Sequence, residues 1–137
     1  SNYLKEIDYG NAEGLNIEKF KKDYSFIFKK WEKGLDPKFP NGESSSDVVN
    51  RLKRFIKIEL NSKKIKNKKN ILIFTHNVIL RCLVGYNFKI DKKDWFKINI
   101  KYFDLLEFEL KKDKLLTNID RNKYLSIFNN FYYDLSK

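Results

Sequence analysis

The stretch that decides the fold reads Ile71-Leu72-Ile73-Phe74-Thr75-His76-Asn77-Val78-Ile79-Leu80-Arg81. Its first four residues are apolar, and so short a run predicts a buried strand more readily than a helix. Apolar residues then continue to Gly85 in a pattern that predicts a helix packed on a sheet. A strand that turns into a helix brings side chains to the carboxyl edge of the sheet, where open α/β sheets bind ligands.

The only histidine of the chain, His76, lies at this predicted junction. A helix N-terminus offers free backbone N–H groups and a partial positive charge, which suit an anion such as phosphate. The alternative is a structural histidine with a satisfied hydrogen bond, since strand-to-helix junctions are common. Position alone gives these two interpretations equal weight.

Length and composition predict one folded domain. The chain has 137 residues, 42% of them hydrophobic and 16% aromatic, which is enough for one core. One cysteine, Cys82, excludes an internal disulfide and favours a reducing cytoplasm. Because Cys82 lies in the apolar helix, we expect a core residue rather than a nucleophile. No apolar run is long enough for a membrane span, and no signal peptide is indicated.

The charge is strongly positive, at +11, with 29 lysines and arginines of which only four are arginine. A basic surface can steer anionic partners, either a phosphorylated metabolite or nucleic acid. Nucleic-acid sites are typically rich in arginine and stacked aromatics, so nucleic acid is the less favoured partner. One histidine without clustered cysteine or aspartate provides no metal ligand set, and no cofactor is implied.

Local patterns predict several further elements. Residues 4–15 contain two glycines and predict a loop. Asn16 is suited to cap one helix that continues to Trp31 with aromatic residues on a core-facing side. Ser44 and Asp47 have capping-box spacing at the start of the next helix. The remaining predictions are a short helix capped by Asp91, strands at 103–110 and 115–119, and a helix at 124–135.

Three stretches follow one another in a distinctive order. They are Leu4-Lys5-Glu6-Ile7-Asp8-Tyr9-Gly10 with Glu13-Gly14, then Gly42-Glu43-Ser44 with Arg51, then Thr75-His76-Asn77 with Arg81. Together they resemble the histidine phosphatase superfamily over about residues 4–110. The resemblance implies the three-layer α/β/α phosphoglycerate mutase-like fold, with residues 1–137 as a single, partial domain.

The resemblance also implies roles for individual residues. In this family a histidine of an Arg-His-Gly motif attacks a phosphoryl group and becomes phosphorylated, and water then removes that group. His76 resembles the second histidine, which hydrogen-bonds the phosphoryl oxygens as charge redistributes in the transition state. Glu6 resembles the proton donor to the leaving oxygen, although taken alone it would read as an exposed loop carboxylate. Tyr9, Thr75 and Asn77 are the expected substrate contacts.

Other positions match or depart from the family in different ways. Glu43 is expected to anchor its loop, and Arg51 and Arg81 are expected to form buried or half-buried ion pairs. Ala12 stands where many members carry tryptophan. The chain contains no Arg-His-Gly, so it resembles a member that lacks its N-terminal portion and a central strand. Such a loss exposes strand edges, and we expect either self-association by strand exchange or coverage by the C-terminal helix.

The leading interpretation is phosphomonoester hydrolysis as the parent activity, acting on a small phosphorylated metabolite. The segment between Gly14 and Gly42 is short, which favours a phosphatase over a mutase. The run from Trp31 to Ser44 resembles the small-metabolite branch, including α-ribazole phosphatases. Because one histidine cannot serve as both nucleophile and second histidine, we expect this chain alone to be inactive. The alternatives are a non-catalytic module that binds phosphorylated ligands or nucleic acid, and an unrelated α/β domain with coincidental motifs.

Overall fold

The structure is a computed structural model that describes residues 1–101, 105–111 and 114–116. Within them the α-helices are α1 (Ile17–Asp23), α2 (Ser25–Glu32), α3 (Ser45–Phe55) and α4 (Asn77–Asn87). Short 3-10 helices span Asn2–Leu4, Gly10–Ala12 and Lys92–Lys97, and a π-helical turn, Ile56–Leu60, continues α3. Strands β1 (Glu109–Lys111) and β2 (Lys114–Leu116) pair antiparallel, with Glu109 opposite Leu116.

The first predicted helix is divided in two. Asn16 caps α1 as expected, because its side chain accepts a hydrogen bond from the Lys19 N–H at 2.8 Å. The prediction of one continuous helix is wrong, since Tyr24 leaves the helical conformation between α1 and α2. The Tyr24 hydroxyl donates to the Asn11 carbonyl at 3.2 Å, and its ring stacks on Phe20. These tertiary contacts outweigh the local helical pattern.

The N-terminus of α3 has two capping side chains. The predicted capping box is confirmed: Ser44 Oγ accepts from the Asp47 N–H, and Asp47 accepts from the Ser44 N–H at 2.9 Å. Asp36 adds a second cap, since its carboxylate accepts from the N–H groups of Ser45 and Ser46 at 3.0 and 2.9 Å. This end of α3 is therefore fixed by the preceding loop as well as by its own residues.

The 3-10 helix Lys92–Lys97 ties the later chain to α3. Asp91 caps it as predicted, accepting from the Lys93 N–H at 3.4 Å. The Lys92 ammonium donates to Asp36 at 2.9 Å and to Ser46 at 2.6 Å. Three separate chain segments consequently meet at the Asp36 carboxylate.

One core cluster connects these helices with the loops. Cys82 is 2% exposed, and burial raises the pKa of its thiol to about 12, which confirms it as a core residue. The Trp95 indole lies against Gly85 of α4, where an added Cβ would stand only 2.5 Å from its ring. The cluster's largest fully buried members besides Cys82 are Phe39, Ile27, Ile79, Ile98, Val48 and Val84.

The prediction of a buried strand at 71–74 is wrong. Ile71, Leu72, Ile73 and Phe74 are 43%, 69%, 38% and 85% exposed, and they belong to no strand. Their backbone has no hydrogen-bonded neighbour among the described residues, so neither face is covered. A strand needs such a neighbour to become buried. The predicted three-layer arrangement is likewise not seen in this part of the chain.

The remaining predictions divide into three groups. The helix after His76 is confirmed as α4, and the loop at 4–15 contains no strand. The strand predicted at 103–110 is wrong for 105–108, where the chain is irregular, and right for the last two residues. The helix at 124–135 and residues 117–119 lie outside the described residues.

Across the described residues, no helix is both long and apolar enough to cross a membrane.

Candidate active site

An ion pair fixes the backbone of the first stretch. Arg51 donates through Nε and Nη2 to the Glu43 carboxylate at 2.8 and 3.0 Å, and Asp8 N–H donates to the same carboxylate at 3.1 Å. Arg51 also donates to the carbonyls of Tyr3 and Glu6 at 2.7 and 3.1 Å. These bonds confirm that Glu43 anchors its loop and that Arg51 is a pairing residue. They also hold the main chain at Glu6.

The first and third stretches are joined by one hydrogen bond. The Thr75 hydroxyl donates to the Leu4 carbonyl at 2.9 Å. Glu6 lies two residues beyond this bond and His76 one residue beyond it, so chain length alone keeps their Cα atoms within about 19 Å of each other. Both residues are described, and no hydrogen bond or ion pair connects them directly.

His76 precedes the first turn of α4. Its side chain is exposed and makes no capping hydrogen bond to the helix. The first N–H groups of a helix have no acceptor within that helix, and no side chain of the described residues satisfies them here. The Asn77 side chain is used elsewhere, since it donates to the Ile100 carbonyl at 2.9 Å. What α4 presents beside His76 is therefore backbone N–H groups with a partial positive charge.

Glu6, Tyr9 and Arg81 influence one another electrostatically. Burial and the Glu6 charge raise the pKa of Tyr9, so its hydroxyl keeps its proton and can donate. Burial lowers the pKa of Arg81, whereas Tyr9 and Glu6 oppose that change. The Glu6 carboxylate itself accepts the Ile7 N–H at 2.9 Å and is half-buried. Two predicted site residues thus lie within electrostatic range of a third residue that was not predicted as a site residue.

Arg81 is that third residue, and the ion pair predicted for it is not formed with any described residue. Its Nε is buried and has no hydrogen-bond partner within the part of the chain that the structure describes. An unpaired buried donor is unfavourable, which makes Arg81 a candidate for contact with a ligand. The sequence could have placed Arg81 on the same face of α4 as Val78, because residues three positions apart on a helix lie on one face.

A cavity of about 520 Å³ opens beside these residues. Val78 and Arg81 line it from α4, and Ile7 and Tyr9 line it from the segment that follows Glu6. This volume is typical of small-molecule sites. Besides Tyr9, six aromatic residues contribute to the wall: Phe20, Phe28, Trp31, Phe39, Trp95 and Phe96. The sequence pattern predicted part of this set as core, but could not show a cavity between α1, α2 and the later 3-10 helix.

No metal centre accompanies the cavity in the described residues. Across 1–101, 105–111 and 114–116, no three His, Cys, Asp or Glu side chains lie close enough together to hold an ion. The polar side chains that line the cavity are those of Tyr9, Glu13, Ser45, Arg81 and Lys92.

The arrangement of these residues along the chain matches one known family. The sequence profile of the histidine phosphatase superfamily (branch 1) matches residues 1–119. The chain belongs to the histidine phosphatase superfamily. The resemblance described above is thereby confirmed, as is the α/β fold class.

Several similar proteins carry phosphatase names. Fructose-2,6-bisphosphatase of Saccharomyces cerevisiae is 30% identical over 122 residues, covering 85% of this chain and 26% of that protein. The Caenorhabditis elegans 6-phosphofructo-2-kinase/fructose-2,6-bisphosphatase is 31% identical over 91 residues, covering 61% and 17%. The Homo sapiens 6-phosphofructo-2-kinase/fructose-2,6-bisphosphatase 3 is 32% identical over 85 residues, covering 61% and 15%. The chain thus spans about a quarter or less of these relatives' length.

Proposed function

We propose that this chain carries part of the active site of a phosphomonoester phosphatase. In this proposal His76 hydrogen-bonds the phosphoryl oxygens, and Glu6 protonates the oxygen of the departing alcohol. The Thr75–Leu4 hydrogen bond carries the proposal, because it brings the Glu6 stretch to the uncapped N-terminus of α4. Membership of the histidine phosphatase superfamily supports the same reaction class.

The proposed reaction has two steps. A histidine nucleophile forms a bond to phosphorus while the ester P–O bond breaks, and Glu6 gives its proton to the leaving oxygen. Water then attacks the phosphohistidine and releases inorganic phosphate. His76 is the only histidine of these 137 residues, so it cannot be both the nucleophile and its hydrogen-bonding partner. The nucleophile of this proposal is therefore not among them.

Charge stabilisation is assigned to groups that are fixed before the reaction. The backbone N–H of Asn77 lies at the start of α4, where the helix dipole favours an anion. Arg81 and the protonated Tyr9 hydroxyl supply further donors next to Glu6. Thr75 is assigned a positioning role, because its hydroxyl is already bonded to Leu4. The substrate class is a small phosphorylated metabolite, and the relatives' names make a phosphorylated sugar one candidate.

Phosphate binding tests the proposal directly. Isothermal titration with inorganic phosphate should show binding that weakens about tenfold in His76→Ala, since a charge-assisted hydrogen bond contributes about 1.5–3 kcal/mol. Lys66→Ala is the matched control, because it removes an exposed cation that does not line the cavity. Equal binding by both variants would show that the basic surface, and not His76, attracts the anion.

A turnover assay tests the assignment of roles. With p-nitrophenyl phosphate we expect no hydrolysis by this chain alone. Hydrolysis that disappears in His76→Ala would contradict the proposal, because His76 would then be the nucleophile. Oligonucleotide binding with a steep salt dependence, without His76-dependent phosphate binding, would instead favour the non-catalytic module.

A further inference from the structure

The cavity beside the candidate site is formed by aromatic rings that contact one another. Phe39, which is 1% exposed, stands at their centre. Its ring centroid lies 5.1 Å from that of Tyr9, 5.8 Å from that of Phe20 and 5.7 Å from that of Trp31. Such contacts hold the rings in a fixed arrangement. The wall is therefore preformed for another flat apolar group.

The cavity offers little positive charge for a second phosphate. Its cationic lining residues within the described chain are Arg81 and Lys92. Lys92 is already paired with the Asp36 carboxylate at 2.9 Å and donates to Ser46 at 2.6 Å. Glu13 also lines the cavity and adds a negative charge. Arg81, whose buried Nε lacks a partner, is thus left to meet one acceptor of a ligand.

We propose that the substrate is a phosphomonoester of an aromatic alcohol, whose ring occupies this cavity, rather than a sugar that carries a second phosphate. This inference rests on the proposed function, because it assigns the cavity to the leaving group of that reaction. It departs from the bisphosphate in the names of the similar proteins.

The position of the cavity agrees with this assignment. Val78 and Arg81 lie on one face of α4, which begins directly after His76. Ile7, which follows Glu6 directly, and Tyr9, three residues after Glu6, also line the cavity. A ring held between these walls would place its ester oxygen toward Glu6 and its phosphoryl group toward the start of α4. The leaving group and the proton donor would then meet at the mouth of the cavity.

The chain contains its own probe for this cavity. Its two tryptophans are Trp31 and Trp95, and both line the cavity. Emission excited at a wavelength that phenyl phosphate does not absorb therefore reports binding there. We would titrate phenyl phosphate, glycerol 3-phosphate and fructose 2,6-bisphosphate at moderate salt. Phenyl phosphate should bind about tenfold more tightly than either of the others, because only its ring can be buried.

The order of affinities among these three ligands distinguishes burial of the ring from attraction by the net charge. The formal charge of +11 attracts a bisphosphate more strongly than a monoester, so unspecific binding would produce the opposite order. Tighter binding of the bisphosphate would overturn the inference. Similar affinities for phenyl phosphate and glycerol 3-phosphate would also overturn it, because the ring would then contribute nothing.

Two exposed phenylalanines provide a matched pair of variants. Phe96 is 45% exposed and lines the cavity, whereas Phe26 is 44% exposed and does not. Each ring has a lysine ammonium nearby, at 5.6 Å for Phe96 and 5.8 Å for Phe26. Phe96→Ala should weaken phenyl phosphate binding about fivefold and leave inorganic phosphate binding unchanged. Phe26→Ala should change neither, and an equal effect of both variants would overturn the inference.

Inorganic phosphate separates the two proposals. Phosphate binding that depends on His76, combined with no preference for phenyl phosphate, overturns the aromatic leaving group and leaves the phosphatase proposal standing. Phosphate binding that does not depend on His76 overturns the phosphatase proposal, and this inference with it. Far-ultraviolet circular dichroism of each variant shows whether the fold is retained.

Discussion

Two segments next to the candidate site differ in how far their polar groups are hydrogen-bonded and their apolar side chains are buried. Around Asp8, Glu43 and Arg51, carboxylate, guanidinium and backbone groups are bonded to one another. At 71–74, four large apolar side chains are exposed, and the backbone has no partner among the described residues. The Glu6 side of the site is thus organised by contacts within the described chain. The His76 side is held mainly by α4 and by the single bond from Thr75.

The largest expected effect is on the satisfied segment. Arg51→Ala should lower the free energy of unfolding by about 3 kcal/mol, since Glu43 would keep a largely buried charge without its partner. Urea denaturation measures this change. Lys19→Ala is the control, because the exposed Lys19–Asp23 pair contributes less than about 1 kcal/mol. Similar losses in both variants would show that the Arg51 network adds no more than a surface ion pair.

The next effect tests the second cap of α3. Asp36→Asn should lower the free energy of unfolding by about 1–2 kcal/mol at neutral pH, because the charged cap and the Lys92 ion pair are lost. Thermal unfolding of this variant, compared with Asp91→Asn at the more exposed cap, measures the difference. An equal shift in the two variants would contradict the special role of Asp36.

The Asp36 cap also predicts a pH dependence. Burial raises the pKa of Asp36, but hydrogen bonds from Ser46 and Lys92 outweigh it and bring the pKa below the ordinary 3.8. A group with a lowered pKa stabilises the fold fully above its unfolded value, and that contribution disappears as the pH falls through the folded value. Stability should therefore decline below about pH 4, and Asp36→Asn should decline less steeply in that range. Parallel curves for the two proteins would contradict this.

A substitution in the exposed segment 71–74 should change stability little and self-association more. Phe74→Ser should change the free energy of unfolding by less than about 0.5 kcal/mol, because its side chain is 85% exposed. It should reduce self-association, since exposed apolar strands pair with other chains. Size-exclusion chromatography with light scattering, over a range of concentrations, measures this. A monomer at every concentration before substitution would refute the self-association predicted from the sequence.

The smallest effect on stability is expected at His76. His76→Ala should leave the free energy of unfolding unchanged within about 0.5 kcal/mol, since its exposed ring does not cap α4. Asn77→Ala should cost about 1 kcal/mol, because its amide bonds to Ile100. Unfolding curves of the two variants test this order. Stability loss at His76 would show a structural role that the geometry does not indicate.

Local structure was predictable from the sequence, whereas contacts between distant segments were not. The Asn16 cap, the capping box and α4 depend on residues within a few positions of one another, and all three are confirmed. The buried strand at 71–74 failed because burial depends on a neighbouring strand. Arg51 and Arg81 show the same limit: both were expected to pair, but within the described residues only Arg51 of the two forms an ion pair with a carboxylate. The cavity depends on the distance between segments far apart in the chain, so no local pattern could reveal it.

The contact between Gly85 and Trp95 links the size of the cavity to a residue outside its lining. A methyl group at 85 would overlap the indole and displace it, and the indole is part of the cavity lining. Position 85 does not itself line that space. An alanine at position 85 should therefore alter the shape of the proposed leaving-group cavity while every residue that lines it stays the same.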